Sequence, residues 1–142
     1  MIVTFCGHRD ISNSAELKTK IMIILPQLIE DGTEQFLMGG YGAFDHLAAT
    51  AVHLLKADYP QIRSTMVLPY LNREYKTELY DDTVYPPLEK VPPRLAIVRR
   101  NRWMVDQADV IISYVTHSWG GAADMLRYAV KSNKRVIYIN LK

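Results

Sequence analysis

The chain has 142 residues, of which 49% are hydrophobic and 23% charged, with a net charge of +2. That profile excludes a disordered or fibrous chain and supplies no overall basic field for nucleic acid or an anionic membrane. A lone cysteine, Cys6, excludes an internal disulfide and a cysteine-built metal site, and no apolar run reaches the about 18 residues of a membrane span.

Met1 leads straight into a strand pattern, so no leader is expected, and residues 1–142 read as a single cytoplasmic domain. "MIVTFC" is short, apolar and rich in β-formers, a buried strand broken by "GHRD". Ser14 is placed to cap a helix over about residues 15–31, with Leu17, Ile21, Ile24, Leu25 and Leu28 at helical spacing. Pro26 predicts a kink or an early end there. "EQFLM" is the second strand, and "AFDHLAATAVHLLKA" the helix after it, striped by Leu47, Ala51, Leu54 and Leu55.

"STMVLP" is a third strand. A long excursion follows to "KVPP", rich in tyrosine, charge and proline, with room for one short helix. Pro93 suits the first turn of the helix in "PPRLAIVRRNRWMVDQA". "DVIISYV" is the fourth strand, "GAADMLRYAVKS" a helix and "KRVIYINL" the fifth strand. Continuous apolar strands alternating with helices predict a doubly wound α/β domain, a mainly parallel five-stranded sheet with helices on both faces. Ligands of such sheets bind beyond the carboxyl ends of the strands, where the strand order reverses.

Three strand ends carry candidate chemistry: Gly7, His8 and Arg9 after the first, "GGYG" after the second, "THSWGG" after the fourth. Gly39, Gly40 and Gly42, around Tyr41, cost backbone entropy, which a positive φ or a close approach would justify. Such a turn feeding a helix N-terminus exposes N–H groups to an anion such as phosphate, or else is a tight packing turn. It is neither a dinucleotide fingerprint nor a Walker motif. Asp45 in the first helical turn faces either its own helix dipole or a ribose hydroxyl. Gly120 and Gly121, with Ser118 and Trp119, repeat the device at the fourth strand. Trp119 there stacks on a base or simply packs. His8 and His117 are candidates for ligand contact or acid–base chemistry, or are plain loop residues.

In "VRRNRWM", run as a helix, Asn101 falls in the middle of the face shared by Ile97, Val98, Met104, Val105 and Ala108. Arg100 and Arg102 lie just beyond its edges, and Arg99 meets solvent. A polar residue on a core-facing stripe needs a partner, which is either a hydrogen bond to a neighbouring loop or an anionic ligand met by Asn101 and Arg100. His8, His46, His53 and His117 lack the spacing of a zinc site, and no serine-hydrolase elbow occurs, so neither metal nor cofactor is called for.

At these residues the sequence resembles the SLOG superfamily, which groups the Smf/DprA and Lonely Guy (LOG) proteins, and is most similar to its small YpsA-like branch. "VTFCGHRD" resembles the family's opening strand and loop, "MGGYGAFDHLAATAV" the LOG "GGGxxGLMGxVAxxA" segment, and "RRNRWMVDQADVIISYVTHSWGGAADMLRYA" the LOG "RKxxMxxxADxxIxLPGGxGTxxE" stretch. The resemblance implies a Rossmann-like fold whose glycine loops bind nucleotides or nucleotide-derived ligands, and a homodimer or higher homo-oligomer. In LOG enzymes an arginine and a glutamate support cleavage of the N-glycosidic bond of nucleoside 5′-monophosphates. Here Arg100 takes the arginine's place, while the glutamate turn reads "HSWGGAAD", leaving Asp124 as the nearest carboxylate. Binding or sensing of a nucleotide-derived ligand is therefore the expectation, with a phosphoribohydrolase using Arg100 and Asp124 as the alternative. The modest net charge argues against a nucleic-acid partner.

Overall fold

A computed structural model describes residues 1–141. In chain order the elements are β1 (Ile2–Gly7), α1 (Ser14–Glu30), β2 (Gln35–Met38), α2 (Ala43–Leu55), β3 (Arg63–Val67), β4 (Asp82–Val84), α3 (Ala96–Gln107), β5 (Val110–Tyr114), α4 (Gly121–Lys131) and β6 (Arg135–Tyr138). The strands form one sheet in the order β4-β3-β2-β1-β5-β6, and every pairing is parallel. The sheet has six strands, not five. The addition, β4, pairs Thr65 with Asp82 through Val67 with Val84 at the sheet edge, inside the predicted excursion. Its short "DTV" is exposed at two of three positions, so it carries no apolar run to read.

Alternation along the strands divides the core in two. Val3, Phe5, Phe36, Met38, Val110 and Ile112 pack on one face with α1 and α2, through Leu17, Ile21, Leu25, Phe44, Ala48 and Val52. Cys6, Leu37 and Ile111 point to the other face and meet Met104, Val105, Met125 and Ala129 of α3 and α4. Pro26 neither ends α1 nor shortens it, because Leu25, Leu28 and Ile29 around it are buried. That burial outweighs one lost backbone bond. Asn13, not Ser14, holds the N-cap position, and no side chain caps it. Leu54 is about half exposed, off the stripe assigned to it. Among the described residues no helix is long and apolar enough to cross a membrane.

The chain leaves β1 for β2 on one side, while β5 lies on the other. The order therefore reverses between β1 and β5, and the carboxyl ends of these strands open the crevice that such sheets use for ligands.

Candidate functional site

A cleft of about 430 Å³ occupies that crevice. Its walls bring together Gly7, His8 and Arg9 after β1, Tyr41 and Asp45 at the start of α2, and Arg100 and Asn101 of α3. His117, Trp119, Gly120 and Gly121 come from the β5–α4 turn. Sequence reasoning missed Phe5, Asp10, Ile97, Met104, Ala122 and Met125 on the lining. The apolar ones read as core, and Asp10 stood unremarked beside Arg9.

The two glycine turns share one geometry. Gly42 caps α2 at φ 93°, ψ 172°, and Gly120 caps α4 at φ 91°, ψ 176°. That region is essentially open only to glycine. At α2 the Ala43 N–H already donates to the Arg9 carbonyl (2.8 Å), and just before the helix the Tyr41 N–H donates to Asp45 Oδ2 (3.3 Å). Gly7 is demanded by packing instead, since a Cβ there would stand 2.2 Å from the Phe44 ring.

Arg100 is 4% exposed and is itself on the buried stripe of α3, with Ala96 and Met104. Asn101 is beside the stripe, the reverse of the predicted arrangement. Ala96, Arg100 and Met104 follow at spacings of four, whereas Ile97 stays 40% exposed. Arg100 Nη1 donates to the carbonyls of Gly39 (2.9 Å) and Val67 (2.8 Å), tying together the ends of β2 and β3, while Nε donates to Asn101 Oδ1 (2.9 Å). Burial pushes the Asp45 carboxyl up to about 6, against the opposing pull of Arg100 and of the Tyr41 N–H.

On the opposite wall three rings stack. The His8 and His117 centroids are 3.7 Å apart at 16°, and those of His117 and Trp119 3.8 Å apart at 18°. Thr116 N–H donates to His8 Nε2 at 2.7 Å, so the neutral ring keeps its proton on Nδ1. Burial, then the neighbouring His117, lowers the His8 pKa and favours this neutral form. Arg9 Nη1 donates to the Tyr41 hydroxyl (2.9 Å), holding that exposed ring at the rim.

The remaining candidates stand outside the cleft. Gly39 lies beneath Asp45 and Arg100, Gly40 and Gly42 border a separate hollow, and the Ser118 carbonyl accepts from Arg127. Asp124 Oδ1 accepts from Arg102 Nη2 (3.1 Å) and does not meet Arg100. Among the described residues no three His, Cys, Asp or Glu side chains cluster to hold a metal.

An all-parallel, doubly wound sheet with a polar and aromatic cleft at its reversal point defines a Rossmann-like α/β protein. A family model for the YspA SLOG family matches residues 8–90, and the chain belongs to that family. It is 25% identical to the uncharacterized SPbeta prophage-derived protein YoqJ of Bacillus subtilis, over 82% of each chain. DNA processing protein A (DprA) of Helicobacter pylori, solved for its single-stranded DNA binding mode, shares the fold. Its TM-score is 0.70 at 18% identity, over all of this chain and 66% of that one. The molybdenum cofactor binding protein of Rippkaea orientalis superposes with a TM-score of 0.67 at 22% identity, over 99% and 77% of the two chains. One protein of this fold thus binds single-stranded DNA, and the argument against nucleic acid from net charge alone does not stand.

Proposed function

We propose that the cleft binds a nucleotide or nucleotide-derived small ligand and does not turn it over. The observation that carries this reading is the convergence, at the sheet's reversal point, of the glycine-capped start of α4 with Asp45, Arg9 and two exposed aromatic rings. Helix starts suit anionic groups, a carboxylate suits hydroxyl or N–H donors, and aromatic rings suit a base. The fold relatives described as binding the molybdenum cofactor and single-stranded DNA support a ligand-binding role for the cleft. Against the phosphoribohydrolase reading, Asp124 is engaged by Arg102 and away from the cleft lining, so the pair Arg100–Asp124 does not assemble.

The test incubates the protein with nucleoside monophosphates, cyclic and ADP-ribose-derived nucleotides and a short single-stranded oligonucleotide, following thermal stability and free base together. A ligand at a hundred times its dissociation constant adds about 2.7 kcal/mol. Stabilisation without base release is expected. Base release would make the protein a hydrolase, a response to the oligonucleotide alone would move it to nucleic-acid binding, and no response to any probe would remove the reading.

A further inference from the structure

We infer that the ring column His8–His117–Trp119 is a preformed stacking platform, and that the ligand carries a planar aromatic ring which extends the column on the outer face of Trp119. The inference rests on the nucleotide reading above and assigns one subsite within it.

Trp119 is 68% exposed, and the face turned to His117 is covered at 3.8 Å, so what it offers outward is a flat apolar face on the cleft wall. An exposed indole alone would be unremarkable. This one is anchored. His117 rests on His8, which is 8% exposed and pinned at Nε2 by the Thr116 N–H. The bond closes the column back onto the loop that carries Trp119, so the last ring is held by the first. A ring fixed before binding loses little rotamer freedom on stacking, and that raises affinity without further contacts. Gly120, directly after Trp119, adds room: a Cβ there would meet nothing nearer than His117 Cε1 at 4.0 Å. Its glycine identity serves the backbone turn, at φ 91° and ψ 176°.

The column also supplies one polar direction. With Nε2 occupied as an acceptor, neutral His8 carries its proton on Nδ1, which has no hydrogen-bond partner among the described residues, and the residue lines the cleft. His8 thus contributes a neutral donor, while Asp45 on the far wall contributes an acceptor. The ligand class is therefore an aromatic heterocycle with a polar, hydrogen-bonding substituent, and sugar phosphates lacking a ring fall outside it.

Trp119 and Trp103 are the two tryptophans, so a Trp103→Phe background makes Trp119 the sole indole emitter. Its fluorescence is titrated with the common nucleoside 5′-monophosphates, the corresponding nucleosides and ribose 5-phosphate. Quenching by a nucleotide and by its nucleoside is expected, with none by ribose 5-phosphate. Measured by calorimetry, Trp119→Leu should weaken nucleotide binding about tenfold, the scale of one base–aromatic stack, and Trp119→Phe should retain most of it. Ribose 5-phosphate binding as tightly as the nucleotide, with Trp119→Leu unchanged, would overturn the platform and leave the anion-binding cleft standing. Absence of binding by every probe would overturn both.

Discussion

Asp45 and Arg100 close over the same glycine: Asp45 Oδ2 lies 3.0 Å, and Arg100 Nη2 3.1 Å, from where a Cβ on Gly39 would stand. A carboxylate whose ionisation is hindered by burial thus meets, over one glycine, a guanidinium that braces two strand ends. The pair joins stability to recognition, and the two can be separated by experiment.

Arg100 acts as a strut. Arg100→Met leaves the buried carbonyls of Gly39 and Val67 without a donor, at about 1–3 kcal/mol each, and strips Asp45 of its nearby cation. A loss of about 3–5 kcal/mol in urea unfolding is expected, as for breaking a buried charged network. A loss under about 1 kcal/mol would show that water replaces the guanidinium.

Asp45 sets a pH slope of a definite sign. Its folded pKa of about 6 lies above the ordinary 3.8, so the native state binds the proton more tightly than the unfolded chain. Stability from this group falls as pH rises between those values and stays low above them. The stability of wild type minus Asp45→Asn should therefore decline from about pH 4 to about pH 6 and then level off. A difference flat across that interval would refute the burial of the carboxyl.

His8 slopes the other way. Its pKa is lowered, so its contribution is fully present above the ordinary 6.5 and is lost as pH falls below it. Protonation puts a hydrogen on Nε2, facing the Thr116 N–H, and breaks that bond. NMR should find the His8 ring titrating below its usual value, with Thr116 amide exchange quickening as it protonates. Titration at or above the usual value would mean that the bond does not form.

Gly42 and Gly120 have one backbone geometry and unequal surroundings. A Cβ on Gly42 would stand 2.7 Å from Arg9 Cα, whereas the nearest atom at Gly120 is 4.0 Å away. Gly120→Ala should cost only backbone strain, about 1–3 kcal/mol. Gly42→Ala should cost clearly more in the same denaturation assay. Equal losses would mean that the Arg9 backbone yields freely.

Asp124 should prove indifferent to ligand. Its Oδ1 serves Arg102 and the residue is not on the cleft lining, so Asp124→Asn is expected to leave nucleotide affinity within about twofold, well inside the value of one hydrogen bond. A tenfold loss measured by calorimetry would restore this acid to the site.

Much of this architecture is legible in the sequence because its strands are buried on both faces and read as unbroken apolar runs. The placement of "GHRD", "GGYG" and "THSWGG" at strand ends follows from that alternation alone. β4 escapes because an exposed edge strand of three residues carries no hydrophobic signal. The orientation of α3 escapes because Ile97 and Val98 pull the apparent stripe toward Asn101, whereas Ala96, small and easily overlooked, marks the buried line through Arg100. The engagement of Asp124 by Arg102 and the ring column are tertiary facts. They depend on which strand lies beside which, and no local pattern encodes that.

The bond from Thr116 to His8 spans 108 positions of chain. Between its ends lie both crossovers on the α1–α2 face, the β4 excursion and the whole of α3. No fragment shorter than that span holds both partners of this bond, and a ribosome must deliver β5 before the first loop finds its partner. Contacts this remote form late, since their loop entropy is repaid only when the sheet closes. The cleft is therefore complete only when the sheet has closed, so any molecule that fits it would select the finished fold over every shorter stretch of the nascent chain.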